Sequence, residues 1–170
     1  MDKIKLICFD LNKTLIEEDS SMNLNLAMGI TLEEDLSMVK QYEAGLLPYQ
    51  EWTEKIVKIY KGRGKATREN ILRSIYNYTY KPGAREAVTY LQGKGYTVSL
   101  ISGAMDILVE RIARELNIPY WAANNTFVFD KNDYLENIIS EDNEPQAKLS
   151  HLKKFCETLG IDIAECAAIG

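Results

Sequence analysis

Residues 3–15 read Lys3-Ile4-Lys5-Leu6-Ile7-Cys8-Phe9-Asp10-Leu11-Asn12-Lys13-Thr14-Leu15. Ile4, Leu6 and Cys8 share one face of an extended chain, and Ile7 and Phe9 share the other. A strand apolar on both faces belongs inside a parallel sheet covered by helices on either side. The run stops at Asp10, where the chain emerges at the sheet's carboxyl edge. Such sheets bind their ligands outside that edge.

The rest of the chain repeats this grammar after an interruption. Residues 82–170 alternate helical and strand patterns. Pro82-Gly83 leads into a helix marked by Ala84, Ala87, Val88 and Leu91 and ended by Gly93 and Gly95. Tyr96–Ile101 reads as a strand running into Ser102-Gly103. Ile107, Leu108, Ile112 and Leu116 mark the next helix, and Thr126–Phe129 with Tyr134–Leu135 form a candidate hairpin. Pro145 opens a helix carrying Leu149, Leu152, Phe155 and Leu159, with Gly160 past its end. Cys166–Ile169 is a last short strand. The expected fold is α/β, a Rossmann-like parallel sheet with helices on both faces and right-handed crossovers.

Residues 16–81 differ. Thr31 and Glu34 match a capping box, followed by Leu36, Val39 and Tyr42 and a stop at Gly45. Pro48 suits the first position of a helix whose Trp52, Ile56 and Ile59 fall on one stripe. A further helix is expected near Thr67–Tyr78. The stretch reads as an all-helical cap (residues 16–81) inserted into a core made of residues 1–15 and 82–170.

Composition narrows the function classes. The 170 residues are 46 % hydrophobic and 26 % charged, ordinary values for a globular chain with a real core. The net charge of -5, from 25 acidic and 20 basic side chains, argues against nucleic-acid binding. No apolar run approaches a membrane span, and Leu6–Phe9 is too short for a signal peptide. The three cysteines, Cys8, Cys156 and Cys166, form no Cys-x-x-Cys pair and suit a reducing, cytoplasmic setting as small buried hydrophobes. His151 is the only histidine, so a Ser-His-Asp triad or a histidine-rich metal site has no basis, and a packing or surface role is expected for it.

Three polar groups are expected at strand ends or helix starts on one edge. Asp10 can serve as nucleophile or metal ligand. Ser102-Gly103 offers a hydroxyl and backbone N–H groups to an anion. Lys148, in the first turn of a helix, opposes the helix dipole and is better explained by a bound phosphate.

With these residues in order, the chain resembles the haloacid dehalogenase superfamily, and within it the phosphoserine phosphatase-like branch. The first motif, Asp-x-Asp-x-Thr, is Asp10-Leu11-Asn12-Lys13-Thr14; the second is Ser102; the third is Lys148. The resemblance implies that Asp10 attacks phosphorus and forms an aspartyl-phosphate. It implies that Asp10 and the backbone carbonyl of Asn12 hold Mg²⁺, and that Thr14 holds the motif loop. Ser102 and Gly103 would bind the phosphoryl oxygens, and Lys148 would balance charge. Asp19 aligns with a cap glutamate that contacts substrate. The implied partner is a small phosphorylated metabolite.

The chain departs from this pattern in three ways. Asn12 replaces the aspartate that protonates the leaving alcohol, a contribution of ~10²–10⁴ in rate. Glu17, Glu18 and Asp19 are candidate substitutes, against the plainer reading of solvated acids. The alternatives implied are a catalytically impaired phosphate-binding relative, or a dehalogenase or phosphonate hydrolase. Second, the aspartate-rich fourth motif is expected after Ala168-Ile169-Gly170, so Gly170 reads as a truncation point in the core. Third, Ile56 stands where phosphoserine phosphatases carry an arginine for the substrate carboxylate. Arg63, Lys65, Arg68 and Arg73 are candidates for a different anion, or simply a solvated basic turn.

Overall fold

The computed structural model describes residues 4–141 and 143–170; Lys3, the first residue of the expected opening strand, lies outside them. Strands β1 (Leu6–Phe9), β2 (Thr97–Met105), β3 (Tyr120–Phe129), β4 (Leu135–Ser140) and β5 (Cys166–Ile169) form one sheet in the order β4-β3-β2-β1-β5. β1 lies parallel to β2 and β5, and β2 parallel to β3. All four residues of β1 are buried, as its two-sided apolar pattern requires. At one edge β4 runs antiparallel to β3, as the expected hairpin requires.

Helices cover both faces. Ile7, Phe9, Val98 and Leu100 pack with Val88 of α5 (Ala84–Gly93) and with Leu108 and Ile112 of α6 (Asp106–Glu115). On the opposite face Cys8, Ile101 and Ala122 meet Leu152 and Phe155 of α7 (Glu144–Leu159). Asn143 caps α7 by accepting from the Gln146 N–H, and left-handed Gly160 ends it.

Between β1 and α5 lie α1 (Ser20–Ala27), α2 (Leu32–Glu43), α3 (Tyr49–Gly62) and α4 (Arg68–Ile75). The Thr31 capping box forms in full: Oγ1 accepts from the Glu34 N–H, and the Glu34 carboxylate accepts from the Thr31 N–H. The chain enters and leaves this block through paired segments. The Glu17 N–H donates to the Thr79 carbonyl at 2.9 Å, and the Lys81 N–H to the Leu15 carbonyl at 2.9 Å.

Some expectations are corrected. Pro48 sits one residue earlier than expected, at the N-cap of α3, and α4 ends at Ile75 instead of continuing to Tyr78. The fully buried side of α3 is Thr53, Val57 and Tyr60, whereas Trp52, Ile56 and Ile59 are half-buried. Trp52 and Ile56 are half-buried because they face a cavity rather than close packing. β2 does not end at Ile101 but runs to Met105 with a register shift between Ser102 and Met105. Ser102-Gly103 therefore lies at an irregularity of the strand, three residues short of the α6 start, and not at a helix N-terminus. Cys8 and Cys156 are buried, but Cys166 is half-exposed.

Candidate active site

Asp10 follows β1 directly, and its N–H is held by the Ile169 carbonyl of β5 at 2.9 Å. Its carboxylate is fixed from two sides. Oδ1 accepts from the Leu11 N–H at 2.7 Å, and Oδ2 accepts from Lys148 Nζ at 2.9 Å. Lys148 reaches across from the first turns of α7 and also pairs with Glu144 at 2.8 Å. Burial alone would lower the Lys148 ammonium, but the hydrogen bonds it donates to Glu144 and Asp10 outweigh it and hold it above the ordinary lysine value. The lysine is thus charged at neutral pH.

The segment after Asp10 turns tightly. Lys13 adopts a left-handed φ of 61°, and the N–H groups of Thr14, Leu15 and Ile16 all point to the Leu11 carbonyl at 3.2, 2.9 and 3.2 Å. Asn12 Oδ1 accepts from the Ser20 N–H at 3.2 Å, tying the turn to the start of α1. Asp19 Oδ1 caps the same helix, accepting from Ser21 N at 3.1 Å and Met22 N at 3.0 Å. Glu18 accepts from the Thr79 N–H at 2.9 Å.

These pieces surround a cavity of ≈ 420 Å³. Asp10, Asn12, Asp19, Ser102 and Gly103 line it, so five of the seven expected site residues come together there. Lys148 joins through its bond to Asp10. Thr14 is half-buried and does not line the cavity; only its backbone holds the turn. Ser102 is 1 % exposed, and its Oγ accepts from the Ala104 N–H at 3.1 Å, which leaves the hydroxyl hydrogen available to an anion. Arg63, Lys65, Arg68 and Arg73 do not line the cavity; Arg63 pairs with Glu34, Arg68 with Asp133 and Arg73 with Glu69.

Two contributors escaped the sequence reading. Glu144 lines the cavity, and a Cβ built on Gly103 would fall 2.6 Å from its carboxylate. Asn125, on β3, donates to the Gly103 carbonyl at 2.6 Å and accepts from Ser140 Oγ at 2.6 Å. Asn25 and Tyr60 also line the cavity, in a buried network in which the Tyr60 hydroxyl donates to Asn25 Oδ1 and Asn25 Nδ2 donates to Asp35 at 2.6 Å.

A carboxylate held by an ammonium at a strand end, beside a buried serine and glycine, suits a small anion and nucleophilic attack upon it. Among the described residues no three His, Cys, Asp or Glu side chains cluster for a metal. The donors available for one are hard oxygens, the Asp10 carboxylate and nearby main-chain carbonyls.

A sequence profile of haloacid dehalogenase-like hydrolases matches residues 7–170. The chain belongs to this family. Within the haloacid dehalogenase-like family it is similar to the phosphoserine phosphatase of Methanocaldococcus jannaschii, with 29 % identity over 168 residues, 99 % of this chain and 77 % of that protein. It is also similar to the phosphoserine phosphatase of Streptococcus thermophilus, 26 % identical over 174 residues, 100 % of this chain and 77 % of that protein. A substrate-bound phosphoserine phosphatase structure superposes with a TM-score of 0.81 at 26 % identity, covering 99 % of this chain and 78 % of its own. A phospho-aspartyl intermediate analogue of a phosphoserine phosphatase gives 0.78 at 26 % identity, covering 98 % and 77 %. The haloacid dehalogenase-like fold is therefore shared across nearly the whole chain.

Proposed function

We propose that this protein is a phosphohydrolase that removes phosphate from a small phosphorylated metabolite through an aspartyl-phosphate on Asp10. The observation that carries this reading is the 2.9 Å contact between Lys148 and Asp10 at the mouth of β1, beside Ser102 and Gly103. The phosphoserine phosphatase names of its relatives support it.

In this reading the Asp10 carboxylate, oriented by the Leu11 N–H and Lys148, forms a bond to phosphorus as the bond from phosphorus to the alcohol oxygen breaks, and the departing oxygen takes its proton from solvent water. Water then cleaves the acyl phosphate and releases inorganic phosphate. Lys148 and the Ser102 hydroxyl offset the charge on the phosphoryl oxygens. Asp10 and the Asn12 carbonyl are oxygen donors of the type that holds Mg²⁺ together with water and substrate phosphate. That ion, when bound, supplies positive charge to the transferring group. The Asn12 side chain can accept a hydrogen bond but cannot deliver a proton to the departing alcohol. Residues 16–81 act as a cap over a core of residues 1–15 and 82–170, in a cytoplasmic setting that suits three free cysteines.

A second reading rests on Asn12: a relative that binds phosphate without turning it over. Hydrolysis of p-nitrophenyl phosphate, with and without Mg²⁺, separates the two. Measurable Mg²⁺-dependent release by the protein, raised in Asn12→Asp, is expected. Phosphate binding with no release from either protein would establish the second reading instead.

A further inference from the structure

We infer that the cavity selects phosphomonoesters whose phosphate is their only acidic group and whose organic half is apolar. This deepens the phosphohydrolase reading and rests on it. Among the described residues lining the cavity there is no lysine or arginine, while four carboxylates are present: Asp10, Asp19, Glu43 and Glu144. The ammonium in contact with these carboxylates, Lys148, is already shared between Asp10 and Glu144 at 2.9 and 2.8 Å.

The wall supplied by the helices is mainly apolar and aromatic, with Ser21, Asn25, Glu43 and Thr53 as its polar members. Leu24 of α1, Val39 and Tyr42 of α2, and Trp52 and Ile56 of α3 all line it. Tyr42, Tyr49 and Trp52 lean on one another with ring centroids 5.3–5.8 Å apart, which makes the aromatic part of the wall rigid. A second carboxylate on the substrate would lose its water against this surface with no cation to receive it, and like charges nearby would oppose it. An apolar group loses nothing by the same transfer and gains from leaving water.

A cationic organic half fits less well. Glu43 is exposed to solvent, and Asp19 already accepts two backbone N–H groups through Oδ1. An ammonium would also lose its water against the aliphatic part of the wall, and the exposed Glu43 and the helix-capping Asp19 return little of that cost.

The test uses three primary alkyl phosphates, so that leaving groups are alike: 2-phenylethyl phosphate, O-phosphoserine and phosphoethanolamine. Each is assayed with Mg²⁺ for phosphate release, and the matching phosphonates are titrated by calorimetry, a readout that does not need turnover. The expected result is a kcat/KM or an affinity at least tenfold higher for the phenylethyl compound than for either of the others. Equal or better performance by the serine or ethanolamine compound overturns the inference. Tightest binding of the phenylethyl phosphonate without hydrolysis of any ester keeps the selectivity and overturns the phosphohydrolase reading. Binding of none at millimolar concentration overturns both. Ile56→Lys places a cation in the wall and should shift the ratio at least tenfold toward O-phosphoserine. An unchanged ratio in a folded variant counts against the inference, and the ligand series on the unsubstituted chain decides alone if that variant does not fold.

Discussion

The Asn125 carboxamide donates to the Gly103 carbonyl at 2.6 Å while its oxygen accepts from Ser140 Oγ at 2.6 Å and from the Tyr49 hydroxyl at 3.3 Å. One side chain thus joins the irregular end of β2, the hairpin strand β4 and the first residue of α3. Asn125→Ala should destabilise the fold by about 1–3 kcal/mol, since it strands several half-buried partners. It should also lower kcat/KM about tenfold by loosening the Ser102-Gly103 segment. Thermal unfolding and steady-state assays together check this; an unchanged kcat/KM in a destabilised protein would leave Asn125 a purely structural residue.

Removing the cation at Asp10 should cost far more in rate than in stability. Lys148→Ala is expected to reduce kcat by about a hundredfold, with a stability change of only about 0–1 kcal/mol because both partners are roughly one third exposed. The ammonium is held above its ordinary value in the folded protein. Its stabilising contribution is therefore complete below the unfolded lysine value and fades only as pH climbs through the raised one. Between pH 6 and 9 the wild-type and Lys148→Ala stability curves should run parallel.

Gly103 owes its identity to a neighbour and not to its backbone, which stays outside the left-handed region. A methyl group there meets the Glu144 carboxylate at 2.6 Å and displaces it from Lys148. Gly103→Ala should lower kcat/KM several-fold. In a Glu144→Ala background the same substitution should cost little, giving a non-additive cycle. Equal effects in both backgrounds would place the cause elsewhere.

Asp35 gives a pH signature. It is 4 % exposed, and burial, with Asp19 nearby, pushes its carboxyl above the ordinary aspartate value despite the Asn25 hydrogen bond. The unfolded chain therefore releases this proton first, and stability falls as pH rises from the ordinary aspartate range through the folded value. Asp35→Asn cannot ionise, so it should raise Tm by about 2–4 °C at pH 7 and give no gain near pH 3. Thermal scans across pH read this directly.

Much of the frame was legible in the sequence because its signals are local. The two-sided apolar run of β1, the Thr31–Glu34 box and Gly160 each report on their own neighbours. The strand-end placement of Asp10 followed from those elements, whereas Lys148, expected in the first turn of its helix, is the fifth residue of α7 and stands in the second. What escaped was set by distant contacts. Ala122–Asn125 holds two alanines and two asparagines and no β-branched or aromatic residue, so only its pairing with β2, and at Asn125 with β4, makes it a strand. Asn125 was hidden with it. The stripe Trp52-Ile56-Ile59 has helical spacing, but periodicity cannot say whether such a stripe meets solid packing or the wall of a cavity.

β3 begins paired with β2 alone and finishes as the leading arm of a hairpin whose second arm bears on α3 through Ser140 and Thr53. In the proposed reading, the floor for the phosphate and the wall for the organic half are thus two ends of a single lever. A substrate that fits the wall steadies the floor by the same contact, so what the alcohol portion looks like can influence how well its phosphate is held for attack.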